Sequence, residues 1–308
     1  MKELKRISAF FMAMLMMLTV FSAFSVVSAE GEAAGGTQPV WPAQGSIKLD
    51  KDAAAVAGKE NLWEVTLGIK GKNFETTSDV VLVIDCSGSM EGAKLDNTRQ
   101  AAKAFGQKLL TEGSTTRIAI VTFIKEATAY NNGHFYGAGE LAAFETAVEK
   151  ATYAEGGTNQ QAGLHVAQQL LNTSSAGLKN IVILSDGEAT FSHPFVAAAT
   201  YANCEAWTDW TCPRGGKITN IGAFAPDYSS VIGKGNSFTM DYNAKVTATC
   251  PEHGKSTTVN CVYNLDGTYT TTSGTNNGVA TIWEANQAKA AGTTIYSVAL
   301  HCCFAGRH

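Results

Sequence analysis

The chain has no basic stripe and no arginine-rich run. With 23 Lys and Arg against 27 Asp and Glu in 308 residues, the formal net charge is −4, and nothing in the charge pattern invites a nucleic acid. Charged residues make up only 16% of the chain and hydrophobic ones 45%. That is an ordinary soluble composition, with length for one large domain or two small ones. Beyond the first 29 residues, no apolar stretch is long enough to span a bilayer. The common enzyme signatures are also missing: there is no G-x-x-x-x-G-K-[ST], no H-E-x-x-H and no G-x-S-x-G. "DCSG" at 85–88 lacks the Asp-Ser-Gly or Asp-Thr-Gly of aspartic proteases. A phosphatase-like Asp nucleophile would want a second carboxylate two residues on, where Ser87 stands. No LPxTG-like sorting signal is present.

What is there begins with a targeting segment. Lys2, Lys5 and Arg6 precede "ISAFFMAMLMMLTVFSAFSVV", which ends in Val27-Ser28-Ala29. This predicts a secretory signal, residues 1–29, cut after Ala29. An uncleaved anchor is the alternative. The mature chain is therefore expected outside the membrane, secreted or at the cell surface, with no span after cleavage. Residues 30–45 read as a Gly/Ala/Pro linker and 46–79 as a β lead-in. Within it "NLWEVTLGIKG" alternates, with Trp63, Val65, Leu67 and Ile69 on one face of a half-buried strand.

Export changes how the seven cysteines read. Cys204, Cys212, Cys250 and Cys261 are even in number and lie in one region, which predicts two disulfides. Three connectivities are open, Cys204–Cys212 with Cys250–Cys261 being the simplest. A zinc site including His253 is the alternative, although the spacings match no tight zinc knuckle. Cys86 stands alone, and Cys302 and Cys303 sit in a short tail.

Between residues 80 and 300 apolar runs alternate with helical periods. "VVLVID" (80–85) is continuous and apolar, as a central parallel strand buried on both faces should be. A helix with Leu95, Ala102, Phe105 and Leu109 on one face follows, then "TRIAIVTF" (116–123), helices at 140–151 and after "YAEGGTNQQ", and "NIVILSDGE" (180–188). This predicts an α/β fold, a doubly wound and mostly parallel sheet flanked by helices. Residues 191–278 break the rhythm. They are rich in Thr, Gly, Asn and Tyr, and read as a β-rich, disulfide-bearing insertion. A helix over "VATIWEANQAKAAG" and a strand over "TIYSVAL" (294–300) resume the pattern. Residues 301–308 resemble neither strand nor helix, and are expected to be a truncated or frameshifted tail.

The chemistry gathers at strand ends, where open α/β sheets bind ligands. Asp85, Ser87 and Ser89 follow the first buried strand at alternate positions. In an extended segment those three side chains point one way while Cys86 and Gly88 point elsewhere. Thr158 lies in "GGTN" between helices, and Asp186 ends a later strand in "SDGE". Two carboxylates and three hydroxyls suit Mg²⁺ or Mn²⁺ and suit zinc poorly. Alone, Ser89 reads as a helix N-cap, Asp186 as a turn former and Thr158 as loop chemistry; their weight is joint.

D-x-S-x-S at 85–89, a Thr in "EGGTNQQAGL" and an Asp in "NIVILSDGEAT", in this order, resemble the von Willebrand factor A domain with a metal-ion-dependent adhesion site. The likeness covers about 80–190 and 279–300. With the signal peptide, the β lead-in and the insertion, the chain is most similar to tip or surface adhesins of Gram-positive pili. The resemblance implies a Rossmann-like domain holding Mg²⁺ (or Mn²⁺) on Asp85, Ser87, Ser89, Thr158 and Asp186. It also implies a protein ligand, from host matrix or a surface protein, that offers an Asp or Glu carboxylate. It implies no enzyme activity. A metal-dependent hydrolase and a non-adhesive assembly subunit are the other readings. Glu188 reads as a solvated loop residue, Cys86 as a small buried residue beside the site, and His165 as a helix-surface or packed histidine. Trp207, Trp210, Tyr228 and Tyr242 read equally as a binding surface or as a local core.

Overall fold

A computed structural model of the chain describes residues 46–59, 63–71, 76–202, 217–250, 254 and 256–300. The expected signal segment, the linker, Cys204, Cys212, Trp207, Trp210, His253 and the 301–308 tail lie outside the described residues. The chain divides into two units, residues 1–74 and 75–308.

In the first unit β1 (Ile47–Ala55) pairs antiparallel with β2 (Trp63–Gly71). The alternation in β2 sets Val65, Leu67 and Ile69 on one face, opposite Ala53, Lys51 and Leu49. Val65, Leu67, Ile69 and Leu49 are exposed rather than half-buried.

The second unit is built on a five-stranded sheet. Its elements in chain order are β3 (Ser78–Asp85), α1 (Ala93–Leu109), β4 (Thr116–Phe123), β5 (Ala127–Ala129), α2 (Leu141–Ala151), α3 (Gln160–Asn172) and β6 (Leu178–Ser185). After an inserted region come α4 (Gly278–Ala290) and β10 (Thr294–Ala299). The order across the sheet is β10-β6-β3-β4-β5, parallel except for β5. The chain moves from β3 to β4 on one side, then returns past β3 to reach β6 on the other. Strand order therefore reverses at β3, and the carboxyl end of such a strand is where open α/β sheets place their ligand sites.

Every residue of β3 is buried, as its unbroken apolar run predicts for a central strand. Val81, Val83, Val121, Phe123, Ile181 and Ile183 on one sheet face meet Leu164, Ala167 and Leu171 of α3 and Ala288 of α4. Gly163 makes that approach possible. A Cβ there would lie 2.8 Å from Phe123 and 2.9 Å from Val83, so any side chain would lift α3 from the sheet. At the amino end of β3, Asp79 is fully buried and takes two hydrogen bonds from Arg117, at 2.8 and 2.7 Å. Ser174 Oγ donates to it at 2.5 Å.

The inserted region is a second sheet. Its main strands are β7 (Phe195–Ala202), β8 (Ala244–Thr249) and β9 (Ser256–Tyr263), with 225–226 beside β7 and 269–270 beside β9. β8 runs parallel to β7 and antiparallel to β9. Phe195, Val246, Cys261 and Tyr263 form its core against Ala280 and Trp283 of α4. Helix α4 is thus covered from two sides, through Ala288 by the central sheet and through Ala280 by the second.

The expected Cys250–Cys261 disulfide is not formed, and Cys261 is a free, buried thiol. The strand register gives the reason. Cys261 pairs with Ala244, at the opposite end of β8 from Cys250. Six residues at strand rise separate the two by roughly 20 Å, far beyond disulfide reach. Cys261 instead faces inward, and stacked aromatics and small apolar side chains hold this sheet together. Tyr228 and Tyr242 do not share that core. Tyr228 instead stacks on His165, ring centroids 3.6 Å apart.

Candidate metal centre

Three loops meet at the carboxyl end of β3. The first is the D-x-S-x-S segment itself. Asp85 closes the strand and is fully buried. Ser87 keeps an extended backbone (φ −62°, ψ 160°) and makes no capping bond. Gly88–Met90 then form one 3₁₀ turn, and Gly92 caps α1. Simple alternation therefore reaches only as far as Ser87. The turn is what carries Ser89 back, so that its Oγ lies 3.1 Å from Ser87 Oγ. The reading of these serines as ordinary helix caps is not what the fold adopts.

The second loop carries Thr158. Two backbone hydrogen bonds latch it to the first: Gly88 N–H donates to Gly156 O at 3.0 Å, and Glu155 N–H to Cys86 O at 2.8 Å. The approach at Gly88 is tight, since a Cβ would stand 3.3 Å from Gly156 O. Thr158 is buried, its N–H donates to Thr190 Oγ1 at 2.9 Å, and its carbonyl accepts from Thr190 and Phe191. The next residue, Asn159, caps α3 by accepting from Ala162 N–H at 3.1 Å. Its own N–H donates to Ile124 O at 2.8 Å. Thr158 is thus fixed from the first loop, from the end of β4 and from the segment after β6.

The third loop follows β6. Register places Ile84 opposite Leu184, so Asp85 and Ser185 leave their strands side by side. Ser185 Oγ donates to Asp85 Oδ2 at 2.5 Å, while Ser87 N–H donates to Asp85 Oδ1 at 2.8 Å. Asp186 Oδ1 accepts from Ser89 Oγ at 2.9 Å. Asp85, Ser87, Ser89 and Asp186 are therefore joined in one hydrogen-bonded set, with Ser185 bonded to Asp85.

Burial pushes the Asp85 carboxyl above the ordinary carboxylate range. Hydrogen bonds from Ser185 and Ser87 pull it back, and the charge of Asp186 raises it again. A buried carboxylate held this way is stabilised by a cation beside it. The donors are all hard oxygens, two of them carboxylate-borne, which fits Mg²⁺ or Mn²⁺. Among the described residues no group of three or more His, Cys, Asp or Glu converges.

Two contributors were not legible in the sequence. Ser185 acts through strand register, and the only trace was a Ser directly before the Asp that ends β6. Lys94 donates from Nζ to Ser89 O at 3.1 Å and also to Asp186 Oδ2. Of the neighbours, Cys86 is buried and its thiol is pushed up to about 11, chiefly by that burial. Glu188 is exposed. His165 lies away from this set, 2.9 Å from Glu284.

The von Willebrand factor type A domain family matches residues 79–205. The minor fimbrium subunit Mfa5 of Porphyromonas gingivalis is 34% identical over 159 residues, 48% of this chain and 12% of that protein. The chain thus spans a small part of that relative's length. The crystal structure of three N-terminal domains of the type V pili tip protein Mfa5 from Porphyromonas gingivalis is similar with a TM-score of 0.53 at 22% identity, over 86% of this chain and 50% of that one. The pilus adhesin SpaC from Lactobacillus rhamnosus GG gives 0.48 at 22% identity, over 87% of this chain and 31% of that one.

Proposed function

We propose that this chain, which matches the von Willebrand factor type A domain family over residues 79–205, is a secreted or surface-displayed binding protein of the pilus-tip kind that engages a partner protein through a divalent cation. The observation that carries this is the hydrogen-bonded set of Asp85, Ser87, Ser89 and Asp186 at the point of strand reversal. The relationship to a fimbrial subunit supports the setting.

Asp85, Ser87, Ser89, Thr158 and Asp186 hold the ion in this reading. When bound, Mg²⁺ or Mn²⁺ supplies an electrophilic position that a partner's Asp or Glu carboxylate can take. Asp85 and Asp186 supply the negative charge that retains it. Ser87, Ser89 and Thr158 contribute neutral oxygens, so the set does not quench the ion's attraction for a further carboxylate. Ser185 keeps Asp85 oriented, and the Gly88–Gly156 latch keeps the Thr158 loop in place. Affinity for the partner then comes from a carboxylate contact in a half-dry crevice, and specificity from the loops around it.

Surface plasmon resonance against a panel of extracellular-matrix proteins and against the producer's own surface proteins tests this. Binding in Mg²⁺ that is lost in EDTA and absent from Asp85→Ala is the expected result. Binding confined to the producer's own proteins marks an assembly subunit. Binding that survives both EDTA and Asp85→Ala removes the cation from the account.

A further inference from the structure

Lys94 brings a positive charge of the chain's own to this carboxylate set. It stands in the first turn of α1, where a helix dipole disfavours a cation, so helix chemistry does not explain its place. Its Nζ donates to Ser89 O at 3.1 Å and to Asp186 Oδ2. Asp186 Oδ1 already accepts from Ser89 Oγ, and both oxygens of this carboxylate are engaged. The Asp186 side chain is 2% exposed and that of Lys94 28%. The carboxylate is fixed and dry, whereas the lysine side chain is partly exposed and carried on a flexible stem.

We propose that Lys94 is a tethered cation that competes with the divalent ion for Asp186 and so sets the affinity of the centre; this rests on reading the set as a metal centre. A divalent ion next to Asp186 meets repulsion from the ammonium until Lys94 swings toward solvent. That displacement weakens loading. Without the ion, the same ammonium neutralises Asp186 and holds its loop against Ser89, so the donor set stays assembled. Lys94 therefore has two effects of opposite sign, supporting the unloaded fold and opposing the ion. A lysine that only braced the loop would support both.

Calorimetric titration of Mn²⁺ into wild type, Lys94→Met and Lys94→Arg, with melting curves in EDTA, separates these. Lys94→Met is expected to bind Mn²⁺ about tenfold tighter or more and to melt lower in EDTA. Lys94→Arg, which keeps the charge, is expected to stay near wild type. Equal or weaker Mn²⁺ binding by Lys94→Met, with wild type binding normally, overturns the role of Lys94 alone. No Mn²⁺ binding by any of the three overturns the metal centre and this role with it.

Discussion

Ser89 Oγ donates to Asp186 Oδ1 at 2.9 Å, joining two loops that stand 97 residues apart in sequence. This bond ties the segment after β3 to the segment after β6, at the point where strand order reverses. Ser89 is exposed and bears little packing. Its replacement by alanine is therefore expected to cost well under 1 kcal/mol of stability while weakening Mg²⁺ or Mn²⁺ about 10- to 100-fold. Titration calorimetry beside a melting curve reads both. A large stability loss with unchanged ion affinity would make Ser89 a structural residue.

The buried charge of Asp85 gives a pH dependence of definite sign. Its folded pKa is raised above its unfolded value, burial being the main cause. Between the two values the folded chain binds more protons, so stability falls as pH rises through that window. The penalty is absent below the unfolded pKa and complete above the folded one. In EDTA at neutral pH, Asp85→Asn is expected to be as stable as wild type or up to about 1–2 kcal/mol more so. The wild-type minus variant difference should shrink as pH falls through the window. A variant markedly less stable at neutral pH would show that Asp85 serves the fold.

The other end of β3 should behave oppositely. Asp79 is fully buried and depends on Arg117 and Ser174. Arg117→Met leaves that carboxylate short of partners, and the loss is expected to be about 2 kcal/mol, moderated because the Arg117 side chain is 47% exposed. Ion affinity should not change. Denaturant melts and Mn²⁺ titration of the one variant check both statements.

Cys86 and Cys261 should both be thiols in the purified, oxidised protein. Mass spectrometry after alkylation without reductant is expected to find both modified once the chain is unfolded in denaturant, and both protected in the native state. A disulfide to Cys261 would contradict its place as a free, buried thiol opposite Ala244, and one to Cys86 would contradict its burial as a free thiol after β3.

The central sheet was readable because its signal is local. A run such as "VVLVID" carries burial on both faces in its own composition, and the hydroxyls after it announce a strand end. That Asp85, Ser87, Ser89 and Asp186 come together was readable because the pattern was joint. What escaped depended on register and on packing between distant segments. Ser185 reaches Asp85 only because β3 and β6 pair with Ile84 opposite Leu184. Lys94 reaches Asp186 from the first turn of a helix whose start is set by Gly92. The even count of cysteines misled for a related reason. Parity says nothing of register, and register puts Cys261 far from Cys250. The strand Phe195–Ala202 was also hidden, because "FVAAATYA" is half alanine, a poor strand former, and lacks the period-two alternation of a half-buried strand.

The proposed divalent-cation site needs Asp186 as well as the D-x-S-x-S segment. Calorimetric titration of Mn²⁺ into the metal-free wild-type chain and into Asp186→Ala tests it most directly. Mn²⁺ is expected to fill a single saturable site in wild type and none in Asp186→Ala, with the variant still folded by circular dichroism. Saturable Mn²⁺ binding of equal affinity in the two proteins would contradict it.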